Sequence, residues 1–162
     1  MHKKRVDIVH IELVKDGSVL YGDHENKTRK ISIPEEAANF AASFFRNADR
    51  EMIYVFALSA SMEPVNICLV SVGGMNTCEV HIPEIFKSAI LSNCPNIMCV
   101  HNHISGEVNP SEEDKMVTGK IKLAGKLLGI ELQDHIIIGD NGKFFSFKKE
   151  GILDEMERIL ED

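Results

Sequence analysis

Apolar and polar residues follow one another along this chain with two periods, which predict strands and helices in alternation. Residues 6–14 alternate imperfectly, as a strand does, and Asp16-Gly17 predicts a turn into a returning arm at 18–21. Further strands are predicted over short apolar runs at 51–58, 67–72, 96–100, 132–138 and 144–147. Helices are predicted over 32–45, 83–91, 111–128 and 152–160. Because the two kinds of element intermix, the predicted class is α+β, or α/β with a mixed sheet.

Two of these helices carry start or stop signals in the sequence. Ser32, Pro34 and Glu35 are interpreted as the N-cap, the early-turn proline and the capping-box acid of the first helix. Ser111 is interpreted as the start of the long third helix, and Gly129 as its end.

Length and composition fit one domain with short appendages. The predicted organisation is an N-terminal β-hairpin extension over 1–33, a main domain over 34–152 and a C-terminal helix over 153–162. No apolar run approaches the roughly 20 residues that span a membrane. The basic start of the chain is not followed by an apolar segment of a secretory signal, so we expect a cytoplasmic protein.

The net charge argues against nucleic-acid binding, and the cysteine spacing argues against a disulfide framework. The formal net charge is −7, which disfavours binding to nucleic acid because that requires many Lys and Arg residues facing phosphates. The four cysteines form no C-x-x-C pair, and without a secretory signal a disulfide framework is not expected. We therefore interpret them as small buried apolar residues.

Candidate chemistry is concentrated where the predicted strand 96–100 ends. His101 and His103 are two residues apart, so a continuing strand would place both imidazoles on one side. Asp114 follows in the first turn of the next helix. Two imidazoles and one carboxylate leave a fourth position open for water, which is the arrangement of catalytic rather than structural zinc.

Two further residues are candidates for catalysis at such a zinc site. Glu51 opens a predicted strand and could act as the general base that moves a proton from water to a leaving group. Ser111 could donate a hydrogen bond to the developing oxyanion of an attacked carbonyl. Each has a plainer interpretation, since Ser111 with Asp114 is also a good capping pair and Glu51 alone is an acid at a strand start.

Several short runs occur in the order and spacing of a known family. His101-Asn102-His103 is followed by residue 104, six further residues, Ser111, two glutamates and Asp114. The runs 101–106, 110–114, 128–130 and 134–139 also match. Over about residues 35–152 the chain resembles the RadC branch of the JAMM (MPN+) metalloproteases. One departure is Ile104, which stands where the motif has a proline that would stiffen the loop.

The resemblance implies a fold, a cofactor and a reaction. The fold would be MPN (JAB1-like), a curved mixed sheet flanked by helices, cytidine-deaminase-like in arrangement. Zinc would be bound by His101, His103 and Asp114, with Glu51 as catalytic glutamate and Ser111 as the oxyanion-side serine. The reaction would be hydrolysis of a peptide or isopeptide bond in a peptide or protein-conjugate substrate. The alternative is a non-catalytic zinc-binding module, accessory to DNA repair or mobile DNA.

Two polar residues near the motif have competing interpretations. His135 lies in an apolar predicted strand, where a histidine is more often a hydrogen-bonded core residue than a ligand. It could instead hold a ligand histidine through that residue's second ring nitrogen. Asn102 is interpreted either as part of a loop structure or as a hydrogen-bond donor in the site.

Overall fold

The computed structural model describes residues 9–20, 30–31, 33–73 and 80–161, with the backbone alone over 157–161. Its elements in chain order are α1 (Pro34–Phe45), β1 (Met52–Leu58), β2 (Pro64–Val72), α2 (Ile82–Leu91), β3 (Asn96–Asn102), α3 (Glu112–Leu128), β4 (Glu131–Ile138), β5 (Phe144–Ser146) and α4 (Ile152–Glu161). A short 3₁₀ turn over Asp140–Gly142 joins β4 to β5, which is antiparallel to it.

The five strands form one mixed sheet in the order β2-β1-β3-β4-β5. The central pair β3 and β4 is parallel and is connected by α3, whereas the other three pairings are antiparallel. The mixed sheet and its flanking helices confirm the predicted α+β class and agree with a JAB/MPN-like fold. Among the described helices, none combines the length and the apolar character needed to cross a bilayer.

Helices cover both faces of the sheet and create two apolar layers. On one face α1 packs Ala37, Ala41 and Phe45 against the sheet. The other face carries buried residues from α2, α3 and α4, among them Phe86 and Ile121. Burial of both faces explains why β3 is buried at every position.

Alternation along β3 determines which layer each of its side chains joins. Met98 and Val100 belong to the layer beneath α1, whereas Ile97 and Cys99 belong to the layer with α2 and α3. By the same period of two, His101 follows Cys99 towards α3.

The register between β1 and β3 brings two distant parts of the sequence together. These strands are antiparallel, and Ile53 pairs with His101. The pairing ends there, and the Met52 N–H donates to the Asn102 side chain, so Glu51, the residue before Met52, lies at the same end of the strands as His103. The start of β1 and the end of β3 therefore lie at the same edge of the sheet.

The predicted boundaries of α3 are confirmed. Ser111 is the N-cap, and Ser111 and Asp114 form a complete capping box. Gly129 ends the helix in the left-handed region with φ of 69°, a conformation that glycine adopts without steric cost.

The predicted N-terminal hairpin does not form over its described part. Residues 9–20 contain no strand, and the rest of the segment, apart from 30–31 and Ile33, lies outside the described residues. Val9, Ile11 and Val14 are each at least 75% exposed. A two-stranded hairpin without a surface to pack against is only marginally stable in water, so local alternation did not suffice here.

Two further boundaries differ from prediction. The N-cap of α1 is Ile33 and no side chain caps it, so Glu35 is not a capping-box residue and instead pairs with Lys149. Pro34 at the helix start fixes its own φ and lacks an N–H, so the helix begins there without a cap. Strand β2 starts at Pro64 instead of residue 67, because an outer strand of a sheet tolerates proline.

The interpretation of the cysteines as buried apolar residues is confirmed for Cys94 and Cys99 but not for Cys68. Cys94 and Cys99 are buried free thiols, Cys68 is half-buried, and Cys78 lies outside the described residues. Burial raises the pKa of Cys99 to about 12, so its thiol is inert at neutral pH.

Candidate metal centre

Three candidate ligand side chains meet where β3 ends and α3 begins. His101 ends the α3-facing row of β3, His103 follows one residue after the strand, and Asp114 comes from the first turn of α3. Each offers one ligand atom, and these atoms lie within 4.8 Å of one another. Such a group could bind a metal ion.

The separations between these atoms resemble the edges of a small coordination tetrahedron. The two imidazole Nε2 atoms are 3.1 Å apart. His101 Nε2 lies 3.3 Å from Asp114 Oδ1, and His103 Nε2 lies 3.4 Å from Asp114 Oδ2. Four ligands at zinc–ligand distances of about 2.0–2.2 Å would be separated by about 3.3–3.6 Å in a tetrahedron.

A buried chain of hydrogen bonds determines the tautomer of His101. The Thr118 hydroxyl donates to the carbonyl oxygen of Asp114 (2.6 Å), so it must accept from His135 Nδ1 (2.7 Å). His135 Nε2 is then free of a proton and accepts from His101 Nδ1 (2.9 Å). Burial lowers the pKa of His135 well below its usual value, and the charge of His101 acts in the same direction. Neutral His101 therefore has its proton on Nδ1 and a lone pair on Nε2.

The tautomer of His103 follows from a single contact. Its Nδ1 lies 2.9 Å from the carbonyl oxygen of Glu107, which can only accept a hydrogen bond, so Nδ1 carries the proton. The Nε2 lone pair of neutral His103 consequently faces His101 Nε2 and the Asp114 carboxylate.

Three electron pairs thus converge on one buried point without a proton between them. His101 and Asp114 are 0% and 2% exposed, so water cannot solvate these atoms freely. Converging acceptors in a buried place repel one another unless a cation lies between them. The chemistry of the donor set therefore fits a metal ion with imidazole and carboxylate ligands.

Ser111 fixes the orientation of the carboxylate. Its backbone N–H and its hydroxyl both donate to Asp114 Oδ2 at 2.7 Å, and its hydroxyl oxygen accepts from the Asp114 N–H. Although burial alone would raise the pKa of Asp114, the protonated forms of His101 and His103 and the hydrogen bond from Ser111 hold it well below its usual range. Capping and ligation, which compete as sequence interpretations, are therefore compatible: the same pair caps the helix and presents an ionised carboxylate to the histidines.

Glu51 directly precedes β1, whose first residues lie at the same end of the sheet as the candidate ligands. Its carbonyl oxygen accepts from Gly73 N–H at 2.8 Å, and its side chain is half-buried. The pKa of His103 is raised because its protonated form would donate a hydrogen bond to Asp114, and the charge of Glu51 contributes in the same direction. The carboxylate is thus close enough to be felt electrostatically at the centre, while its catalytic role stays a prediction.

The loop after His103 is held without the motif's proline. His103 N–H donates to the Ile138 carbonyl, and Gly106 N–H donates back to the His103 carbonyl, both at 3.1 Å. Gly106 has φ of +76°, and a Cβ there would collide with the Asp140 side chain. Two backbone hydrogen bonds and a left-handed glycine beside the Asp140 side chain therefore restrict this loop, and Ile104 is 52% exposed.

The structure resolves the two competing interpretations and adds one residue. His135 is both a buried core histidine and the partner of His101 Nδ1. The side chain of Asn102 is bound to the backbone at the start of β1. Thr118 was not a candidate in the sequence, although its position one helical turn after Asp114 places it on the same face of α3.

Fold and site together describe an α+β domain with a candidate metal centre at one sheet edge. The family model for the RadC-like JAB domain matches residues 31–152. The chain belongs to the RadC-like JAB domain family.

Relatives of known sequence agree with this assignment. A UPF0758 protein from Methanosarcina mazei is 40% identical over 129 residues, which cover 80% of this chain and 56% of that protein. The UPF0758 proteins of Clostridium acetobutylicum and Bacillus licheniformis are each 42% identical, over 76% of this chain and 54% of each relative. The chain thus spans just over half the length of the curated relatives it matches.

Proposed function

We propose that this chain is a zinc-dependent hydrolase of peptide or isopeptide bonds. The observation that carries the proposal is the convergence of two imidazole lone pairs and the Asp114 carboxylate at the edge of the sheet where β1 begins. Among the described residues this group has three ligand atoms, and three protein ligands with an open position are typical of catalytic zinc. Membership of the JAB family supports the same reading.

In this proposal the residues divide the work of hydrolysis. Zinc in such a site supplies Lewis acidity, which makes water a nucleophile at neutral pH and polarises a carbonyl. Glu51 takes one proton from the attacking water and delivers it to the leaving nitrogen, while a C–O bond forms and the C–N bond breaks. His135 and Thr118 hold His101 in the ligand tautomer.

Ser111 would donate its hydroxyl to the developing oxyanion. In this structure the Ser111 hydroxyl donates to Asp114 Oδ2, so the hydroxyl would have to turn towards the substrate. The same contact favours a second candidate, a non-catalytic zinc-binding module accessory to DNA repair or mobile DNA, in which Ser111 serves only to orient Asp114.

The decisive experiment compares two glutamates that each precede a strand. Purified protein is analysed for metal and screened for cleavage of peptides and isopeptide conjugates as wild type, Glu51→Gln and Glu63→Gln. Glu63 is also half-buried but precedes β2 at the opposite end of β1. We expect about one zinc per chain in all three and a loss of cleavage of about 10²–10⁴-fold in Glu51→Gln alone. Equal cleavage by all three proteins would refute the catalytic role of Glu51, and absence of cleavage by wild type would favour the accessory module.

A further inference from the structure

Asn102 lies between the two candidate ligand histidines in the sequence, but its side chain binds the backbone at the start of β1. Its Oδ1 accepts from Met52 N–H at 2.8 Å, and its Nδ2 donates to the Arg50 carbonyl at 3.2 Å. These two backbone groups flank Glu51. Asn102 is 6% exposed, and both of its contacts are partly buried.

The carboxamide takes the place of a neighbouring strand. The β1–β3 pairing ends at Ile53 and His101, one residue short of Asn102. Beyond that point the Asn102 amide offers one acceptor and one donor to the β1 side, as a peptide group of an adjacent strand would. On the opposite side of β1, the N–H of Gly73, the residue after β2, donates to the Glu51 carbonyl at 2.8 Å. The backbone around Glu51 is therefore held from both sides.

We propose that Asn102 is a positioning residue that holds Glu51 in register with the candidate metal centre for proton transfer. This inference rests on the proposed function, because it gives Glu51 a task that needs fixed geometry. A general base must stay within hydrogen-bond reach of the proton it takes. Asn102 supplies that restraint. Because it stands between His101 and His103 in the sequence, it couples the position of the base to that of the metal.

The same strand contains a matched control. Asn96 begins β3 as Asn102 ends it, and it is 9% exposed. Its Nδ2 donates to the carbonyl of Ser59, just beyond the other end of β1, at 3.0 Å. Removing either side chain deletes a buried amide that ties β3 to β1, but Asn96 lies about 20 Å from the metal end.

The experiment measures metal content, kcat and KM for wild type, Asn102→Ala, Asn102→Ser, Asn96→Ala and Glu51→Gln on a substrate identified by the cleavage screen. We expect both Asn102 variants to keep their zinc and their KM but to lose about 10- to 100-fold in kcat, as displaced catalytic groups do. Asn96→Ala is expected to keep kcat within about twofold. The serine variant keeps the test available if the alanine variant does not fold.

A kcat in the Asn102 variants equal to that of Asn96→Ala would overturn the inference while leaving the proposed function intact. Absence of any cleavage that Glu51→Gln removes would refute the proposed function instead. The positional claim is then decided by hydrogen exchange of the Met52 amide relative to that of Val55. Exchange at least about 10-fold faster in both Asn102 variants, but not in Asn96→Ala, supports it, and unchanged exchange overturns it.

Discussion

The two ends of strand β3 use the same kind of side chain for different purposes. At its start, Asn96 accepts from Gln133 and donates to the Ser59 carbonyl, so the buried amide has partners on both sides. At its end, Asn102 is paired in the same way, but the histidines on either side of it present lone pairs to each other and to Asp114.

The difference shows which polar residues belong to folding and which to function. Buried polar groups whose hydrogen bonds are all internal need nothing further, and the start of β3 is of this kind. The end of β3 is ordered just as firmly, yet its tautomers leave acceptors that only a cation or an added proton can satisfy. A surplus of acceptors inside a well-ordered network is therefore the mark of the site.

The largest effect is expected from removing one ligand. In His103→Ala the two remaining ligands should not retain zinc, and bound metal should fall from about one equivalent per chain to about none. His81→Ala is the control, because His81 is an exposed histidine at the start of α2. Metal analysis of both variants after dialysis measures this. Full zinc in His103→Ala would show that the metal binds elsewhere.

A smaller effect is expected from cutting the hydrogen-bond chain behind His101. Thr118→Val leaves His135 Nδ1 without its acceptor, which should cost about 1–3 kcal/mol of unfolding free energy and weaken zinc binding about 10- to 100-fold. Ser146→Ala removes another buried hydroxyl, one that donates to Asp134 next to His135. It should destabilise the fold similarly and leave zinc affinity unchanged. Denaturant unfolding measures the loss of stability, and competitive zinc titration measures the affinity for zinc. Equal zinc affinities in the two variants would contradict a role of this hydrogen-bond network in holding His101.

Two glycines with the same backbone angle test the loop after His103. Gly106 and Gly142 both have φ of +76°, but only at Gly106 would a Cβ meet other atoms. Gly142→Ala should cost about 1–2 kcal/mol from the backbone alone. Gly106→Ala should cost more and also weaken zinc binding, because it pushes the loop away from Asp140. If both alanine variants bind zinc equally, packing at Gly106 does not support the centre.

The smallest effect is expected from restoring the motif's proline. The φ of Ile104 is negative, as proline requires. Among the described loop and turn contacts, the Ile104 N–H donates no backbone hydrogen bond that proline would remove. Ile104→Pro should therefore raise the unfolding free energy by about 0.4–1 kcal/mol by restricting the unfolded chain, with zinc content unchanged. Thermal unfolding with metal analysis checks this, and a clear loss of stability would mean that the loop needs a conformation that proline lacks.

Local signals in the sequence predicted the parts of the structure that depend on neighbours along the chain. Ser111 with Asp114 and Gly129 mark the ends of α3 correctly, because capping chemistry acts within one helical turn. The same kind of signal failed at Ser32, which was predicted to cap α1, because the helix begins at Pro34 with Ile33 as its N-cap. Alternation over residues 9–14 likewise predicted a strand that has no partner in the described chain.

The remaining features depend on pairing between distant strands. The roles inferred for Asn102 and Glu51 follow from the register of β1 against β3, which no local pattern specifies. His135 and Thr118 come together because β4 lies parallel to β3 and α3 connects them. The sequence could therefore name the ligand candidates and offer His135 as one possible partner of a ligand histidine, but it could not identify Thr118 behind His135.

The most direct test of the metal centre is the zinc X-ray absorption spectrum of the purified, zinc-loaded protein. The account predicts nitrogen and oxygen ligands at about 2.0–2.2 Å with the outer-shell scattering of two imidazoles, and no sulfur ligand. Sulfur at about 2.3 Å, or a first shell without imidazole, would contradict the assignment of His101, His103 and Asp114 as the ligands.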